Sequence, residues 1–161
     1  MFSVSESVPV NEDNHVRLTR ADVWHGLELK ARNALPFIPA MTHCVVLREE
    51  SENVFFRKII FKGDHAMQRV TLHPLQGVTF ERLTGKSVGV IRNMIEEDER
   101  GVLSLRFTFD LELPGVPAGS EEEAAYANEM RGEYLGALKA TIGAIRQLKM
   151  QGAEPANAPG A

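Results

Sequence analysis

Apolar and polar residues alternate from the start of the chain. Phe2, Val4, Val8 and Val10 take even positions and Ser3, Ser5, Ser7 and Pro9 odd ones, as in a strand with one buried face. The period then changes. Thr19 stands where a helix N-cap belongs, and Asp22 lies in the first turn, where the helix dipole favours negative charge. A helix is predicted over 20–32. Val23, Trp24, Leu27, Ala31 and Leu35 share one side of it, and Pro36 and Pro39, around Phe37 and Ile38, stop it. From 42 to 113 the alternation returns, broken by short polar turns, and predicts strands over 42–49, 53–61, 65–72, 77–83, 87–96 and 101–113. Turns this short permit hairpins and exclude parallel crossovers. The last strand has the cleanest pattern: Leu103, Leu105, Phe107, Phe109, Leu111 and Leu113 face one way, and Ser104, Arg106, Thr108, Asp110 and Glu112 the other. Ser120 followed by Glu123 reads as a capping box opening a helix to about Met150. Ala127, Met130, Tyr134, Leu138, Thr141, Ile145 and Leu148 form its apolar stripe, roughly 30 Å long.

These elements make an α+β fold: strand, helix, six antiparallel strands, long helix. A curved sheet and a straight helix diverge at one end, so a cavity between them is expected. The length of 161 residues suits a single domain over 1–150, and 151–161, rich in Ala, Pro and Gly, is expected to be disordered. With 43% hydrophobic and 25% charged residues the composition is that of an ordinary globular domain. A net charge of -4 gives no electrostatic case for nucleic acid. No apolar run reaches the length of a membrane helix, and the N-terminus lacks the pattern of a secretory signal. Cys44 is the single cysteine, so an intrachain disulfide is excluded. A cytoplasmic protein is the expectation.

Leu18 to Leu27, Leu35-Pro36-Phe37-Ile38-Pro39, Val70 to Pro74, Val78-Thr79-Phe80, Ile95-Glu96-Glu97 and Leu103 to Phe107 together resemble the acetylaranotin-cluster-like family. That family lies within the START and birch-pollen-allergen superfamily. The resemblance runs from about Phe2 to Met150. It implies a helix-grip fold, with a seven-stranded curved antiparallel sheet wrapped around the C-terminal helix. It carries over no catalytic residue, since the superfamily includes lipid and hormone carriers, aromatic polyketide cyclases, oxygenase domains and co-chaperones.

Little catalytic chemistry is written in motifs. Gly85-Lys86-Ser87 copies the end of a phosphate-binding loop, but Phe80 stands where that loop needs glycine. His15, His25, His43, His65 and His73 include no pair at helical metal-ligand spacing, and no Gly-x-Ser-x-Gly elbow is present. No metal or cofactor is called for. Cys44 reads as a small buried hydrophobe, and Glu96 to Arg100 as a solvated hairpin tip.

Charges among apolar strand positions are more informative. Arg57 shares its face with Phe55, Ile59 and Phe61, Glu81 with Thr79 and Leu83, and Arg92 with Val88, Val90 and Met94. Any that points inward needs a partner, either in the protein, as an Arg57–Glu81 pair, or on a ligand. On the long helix Gly132, Gly136, Ala140 and Gly143 form a small-residue ridge compatible with a homodimer contact or a merely tolerated surface.

The leading expectation is binding of a small, largely apolar or amphipathic molecule entering near residues 36–39. Its walls would be Trp24, Phe37, Ile38, Phe55, Phe107, Phe109, Met130, Tyr134 and Leu138, with Arg57 or Arg92 orienting a polar end. The alternative is a cofactor-independent cyclase or dehydratase, with His43, His65, Glu81 and Tyr134 as proton-moving candidates. A co-chaperone-like interaction module is the third.

Overall fold

The alternating segments become seven strands and the two capped segments two helices in the computed structural model, which describes residues 1–12 and 16–152. In chain order these are β1 (Phe2–Pro9), α1 (Arg20–Arg32), β2 (Met41–Ser51), β3 (Val54–Phe61), β4 (Asp64–His73), β5 (Gly77–Arg82), β6 (Val88–Glu97), β7 (Leu103–Glu112) and α2 (Glu121–Met150). They form one antiparallel sheet in the order β1-β7-β6-β5-β4-β3-β2. A meander runs from β2 to β7, and β1 adds to its far side. The predicted tail falls outside the described residues apart from Gln151 and Gly152, and so does His15.

Both helices start as their sequences direct. At α1 the Asp22 N–H donates to Thr19 Oγ1 at 3.2 Å, and the Thr19 N–H donates to Asp22 Oδ2 at 2.8 Å, closing a capping box. At α2 the Glu123 N–H donates to Ser120 Oγ at 3.2 Å. The Glu123 carboxylate, however, accepts from the N–H of Gly119, one residue before the box position. Leu35 departs from expectation: α1 ends at Arg32, helical spacing no longer applies, and Leu35 is 41% exposed.

The sheet packs one face against α2, and all six alternating apolar residues from Leu103 to Leu113 are buried. Its other face carries ion pairs, Arg69 with Glu81 and Arg106 with Glu96. α2 buries Met130, Leu138, Thr141, Ile142 and Ile145, with Ala127, Tyr134 and Leu148 half-buried. Two glycines allow close approach. A Cβ on Gly26 would overlap Ile145, so glycine lets α1 rest on α2. Gly89, at φ 136°, brings β6 against the Asp110 carbonyl of β7. By contrast, a Cβ at Gly132, Gly136 or Gly143 would meet nothing within 4 Å.

Candidate functional site

Between the inner face of β3–β6, α1 and α2 lies a cavity whose wall is unexpectedly polar. Arg57, Gln68 and Arg82 pair in register across β3, β4 and β5, forming one row of inward side chains. All three are buried, at 3%, 2% and 4% exposure. Asn93 reaches the same space from β6, Lys30 from α1 and Tyr134 from α2. Ile38, Ile59 and Phe80 are among the apolar walls.

Arg57 is held firmly. Its Nε donates to Gln68 Oε1 at 2.8 Å and its Nη1 to the Ala31 carbonyl at 2.8 Å, at the C-terminal end of α1, where carbonyls lack helical partners. Its guanidinium also lies 4.7 Å from the centroid of the Phe80 ring. Cys44, buried as expected, offers Sγ to Arg57 at 3.6 Å. Arg82 is held loosely. Nη1 donates to Ser87 Oγ at 3.3 Å and Nη2 to Tyr134 Oη at 3.5 Å, while the buried Nε has no partner.

Lys30 donates from Nζ to Asn93 Oδ1 at 3.0 Å. Burial, and secondarily the positive charge of Arg57, pushes its amine down to about 7 from the ordinary 10.5. Burial likewise lowers the Arg57 value, although guanidinium stays charged at any physiological pH. The one acidic side chain on the described wall is Glu133, which is half-buried and paired with Lys62. The wall thus holds two guanidiniums and an amine, none of them bonded to a carboxylate. Uncompensated buried charge of this kind is unfavourable and attracts an anion.

The residues expected to line the site divide into three groups. Ile38, Arg57 and Tyr134 reach the cavity. Phe37, Phe55, Phe107, Phe109 and Leu138 are buried core, and Trp24 packs against that core half-buried. Met130, also buried, touches a neighbouring groove with Phe61 and Tyr126. Arg92 is corrected: it lies on the outer face beside Asp110, their charged atoms 3.7 Å apart. Glu81 also faces outward, bonded to Arg69 at 2.9 Å, so the expected Arg57–Glu81 pair does not form; Gln68 takes that place. His43 is half-buried on β2 and His65 exposed on β4, and neither lines the cavity.

Lys30, Gln68, Arg82 and Asn93 went unread, yet each carries a signal. Gln68 shares its period with Ala66, Val70 and Leu72, Arg82 with Val78 and Phe80, and Asn93 with Ile91 and Ile95. Lys30 stands seven residues after Val23 and three after Leu27, on the buried side of α1.

The inner cavity is small, about 30 Å³ measured as room for water centres, space for about two waters. Ile38, Phe61, Glu133 and Ala137 line both this cavity and an outer groove of about 330 Å³ beside Pro39 and Gly136. These four residues stand between the two spaces. Among the described residues no three His, Cys, Asp or Glu side chains group to hold a metal, and no helix is long and apolar enough to cross a membrane.

Comparison with known proteins agrees with this architecture. The Zhui aromatase/cyclase from a Streptomyces species superimposes with a TM-score of 0.64 at 20% identity, covering 91% of this chain and 94% of that one. A START superfamily protein from Mycobacterium smegmatis gives 0.62 at 17% identity, covering 91% and 98%. At such identities the likeness establishes the fold alone, a curved antiparallel sheet wrapped around a long C-terminal helix. In sequence the chain is 28% identical over 153 residues to acetylaranotin biosynthesis cluster protein L of Aspergillus terreus, covering 94% of this chain and 92% of that protein. The profile of that protein's family matches residues 4–152, and the chain belongs to the acetylaranotin biosynthesis cluster protein L family.

Proposed function

We propose that the protein binds a small, largely apolar molecule bearing an anionic group, with the anion on Arg82 and Arg57 and the apolar body toward Ile38, Phe61 and Tyr134. One observation carries the reading: a buried pair of guanidiniums, Arg57 and Arg82, that bond only to neutral groups, with Arg82 Nε unpartnered. A bound carboxylate or enolate would supply the missing acceptor in the bidentate geometry that guanidinium favours. Entry is by displacement of Ile38, Phe61, Glu133 and Ala137. Joining the inner and outer spaces reaches the lower end of ligand-site volumes, about 300 Å³.

Calorimetric titration with aryl carboxylates and their methyl esters tests this. The acid should bind at least about tenfold more tightly than its ester, in keeping with one charge-assisted bond. Arg82→Gln should erase that preference. Equal binding of acid and ester, or a preference that survives Arg82→Gln, sinks the reading. Native mass spectrometry of freshly purified protein adds the identity of any retained molecule and the oligomeric state.

A second reading, a cofactor-independent cyclase-type enzyme, is favoured by the Tyr134 hydroxyl and the Lys30 amine lining one cavity, two groups able to exchange protons with a substrate. Relatives named for aromatase/cyclase activity and for a biosynthesis cluster agree with it. His43, His65 and Glu81 have no place in that reading.

A further inference from the structure

We propose that Lys30 is a nucleophile toward carbonyl compounds, condensing with a ketone of the bound ligand, and that a 1,3-dicarbonyl is the class it suits best. This rests on the cavity reading above. Lys30 is 6% exposed, lines the cavity, and bonds through Nζ to one neutral acceptor, Asn93 Oδ1. Donating a proton to that amide leaves the lone pair of a neutral amine free for the cavity. Arg57 from β3 repels an ammonium and so favours neutrality; Arg82 of β5 and Tyr134 of α2 line the same cavity, and Cys44 of β2 lies against Arg57. Glu133 of α2 is engaged by Lys62. With an amine at about 7, half is free base at pH 7, against about 1 in 3000 for a lysine at the ordinary 10.5. An amine beside another cation in a dry site is a recognised way to activate lysine for Schiff-base chemistry.

The step is balanced. The Nζ lone pair forms a bond to the carbonyl carbon, the carbon–oxygen bond breaks, and the oxygen departs as water with both amine hydrogens, leaving an imine. With a 1,3-diketone the imine rearranges to a conjugated enaminone. No oxidant or reductant takes part. The dicarbonyl class follows from the other wall residues, because the neutral diketone offers one carbonyl carbon to Lys30 while its second carbonyl oxygen, which gains negative charge as the enaminone conjugates, can accept from the guanidiniums of Arg82 and Arg57.

Acetylacetone is the probe. Incubated with the full chain between pH 6 and 9, it should give near-ultraviolet enaminone absorbance, a mass gain of one diketone less one water, and modification mapped to Lys30. The rate should rise through about pH 7 and level off, and at pH 7 should exceed that of surface lysines by at least about a hundredfold. Lys30→Arg, which keeps a cation, and Lys30→Gln should both abolish the adduct. Saturation-transfer NMR of the diketone runs alongside. Binding without an adduct, or modification spread over other lysines and undiminished in Lys30→Arg, overturns the Lys30 chemistry and leaves the cavity reading standing. Neither binding nor adduct removes both.

Discussion

The two ends of the layer between sheet and α2 are built from strands with the same alternation, yet they enclose opposite chemistry. At the β1–β7 end the layer is aromatic. Phe107 and Phe109 stack at 5.4 Å with their planes 9° apart, Tyr134 lies over them at 5.7 and 5.2 Å, and Phe2 meets Tyr126 edge-on at 5.8 Å. At the β3–β6 end, under α1, the same inward positions hold Arg57, Gln68, Arg82 and Asn93. At the aromatic end Phe107 and Phe109 are fully buried and packed ring on ring, which favours stability. Buried charge at the cationic end is costly by itself, and the binding proposed above would offset that cost. A fold can therefore keep one end as aromatic core and bury charge at the other without changing its hydrophobic period.

Four substitutions test that division, in falling order of effect. Phe107→Ala should destabilise by about 3–5 kcal/mol in urea unfolding, as large-to-small changes in a packed core do; a loss below about 1 kcal/mol would mean that the aromatic end is not the structural one. Gly26→Ala should follow, at about 1–3 kcal/mol, because the new methyl forces Ile145 and α2 away from α1.

Lys30→Met should distinguish the cationic end by its pH dependence. The folded amine sits near 7 and the unfolded one near 10.5, so between those values the unfolded chain binds more protons and wild-type stability rises with pH. The slope from this group is about 1 kcal/mol per pH unit. Below pH 7 both states are protonated and the burial penalty is at its fullest, so Lys30→Met should be relatively most stable there and lose its advantage as pH climbs through 8 and 9. A stability difference flat across that window would contradict the assigned environment. Arg92→Ala should do least, within about 0.5 kcal/mol and with no change in ligand affinity, as befits an exposed ion pair. Any effect on binding would return Arg92 to the cavity.

The helices and strands were legible because their signals are local. The capped starts at Thr19 and Ser120, the strict alternation of β7 and the short polar turns each act within a few residues. The site was legible only in part. Arg57 drew notice as a charge among Phe55, Ile59 and Phe61, although the other frame of β3, with Val54, Phe56, Lys58 and Ile60, is equally apolar. On β6 both frames contain aliphatic residues, so Arg92 stood out while the inward Asn93 passed unnoticed; on β5 the inward frame is Val78, Phe80 and Arg82, and Leu83 just beyond the strand drew attention to Glu81 instead. Frame on such a strand is settled by its neighbours: the register that sets Arg82 opposite Gln68, and Gln68 opposite Arg57, puts all three on the inner face.

The sequence by itself determined the element order, the antiparallel meander and the apolar stripe of α2, because turn length, capping and periodicity act along the chain. The tertiary structure decided which charges meet. Arg57, Gln68 and Arg82 are separated by more than ten residues at each step, and Lys30 approaches them only because α1 folds back across the sheet. The field each group feels, and the amine this gives Lys30, belong to neighbours assembled through space, to which no periodicity along the chain has access.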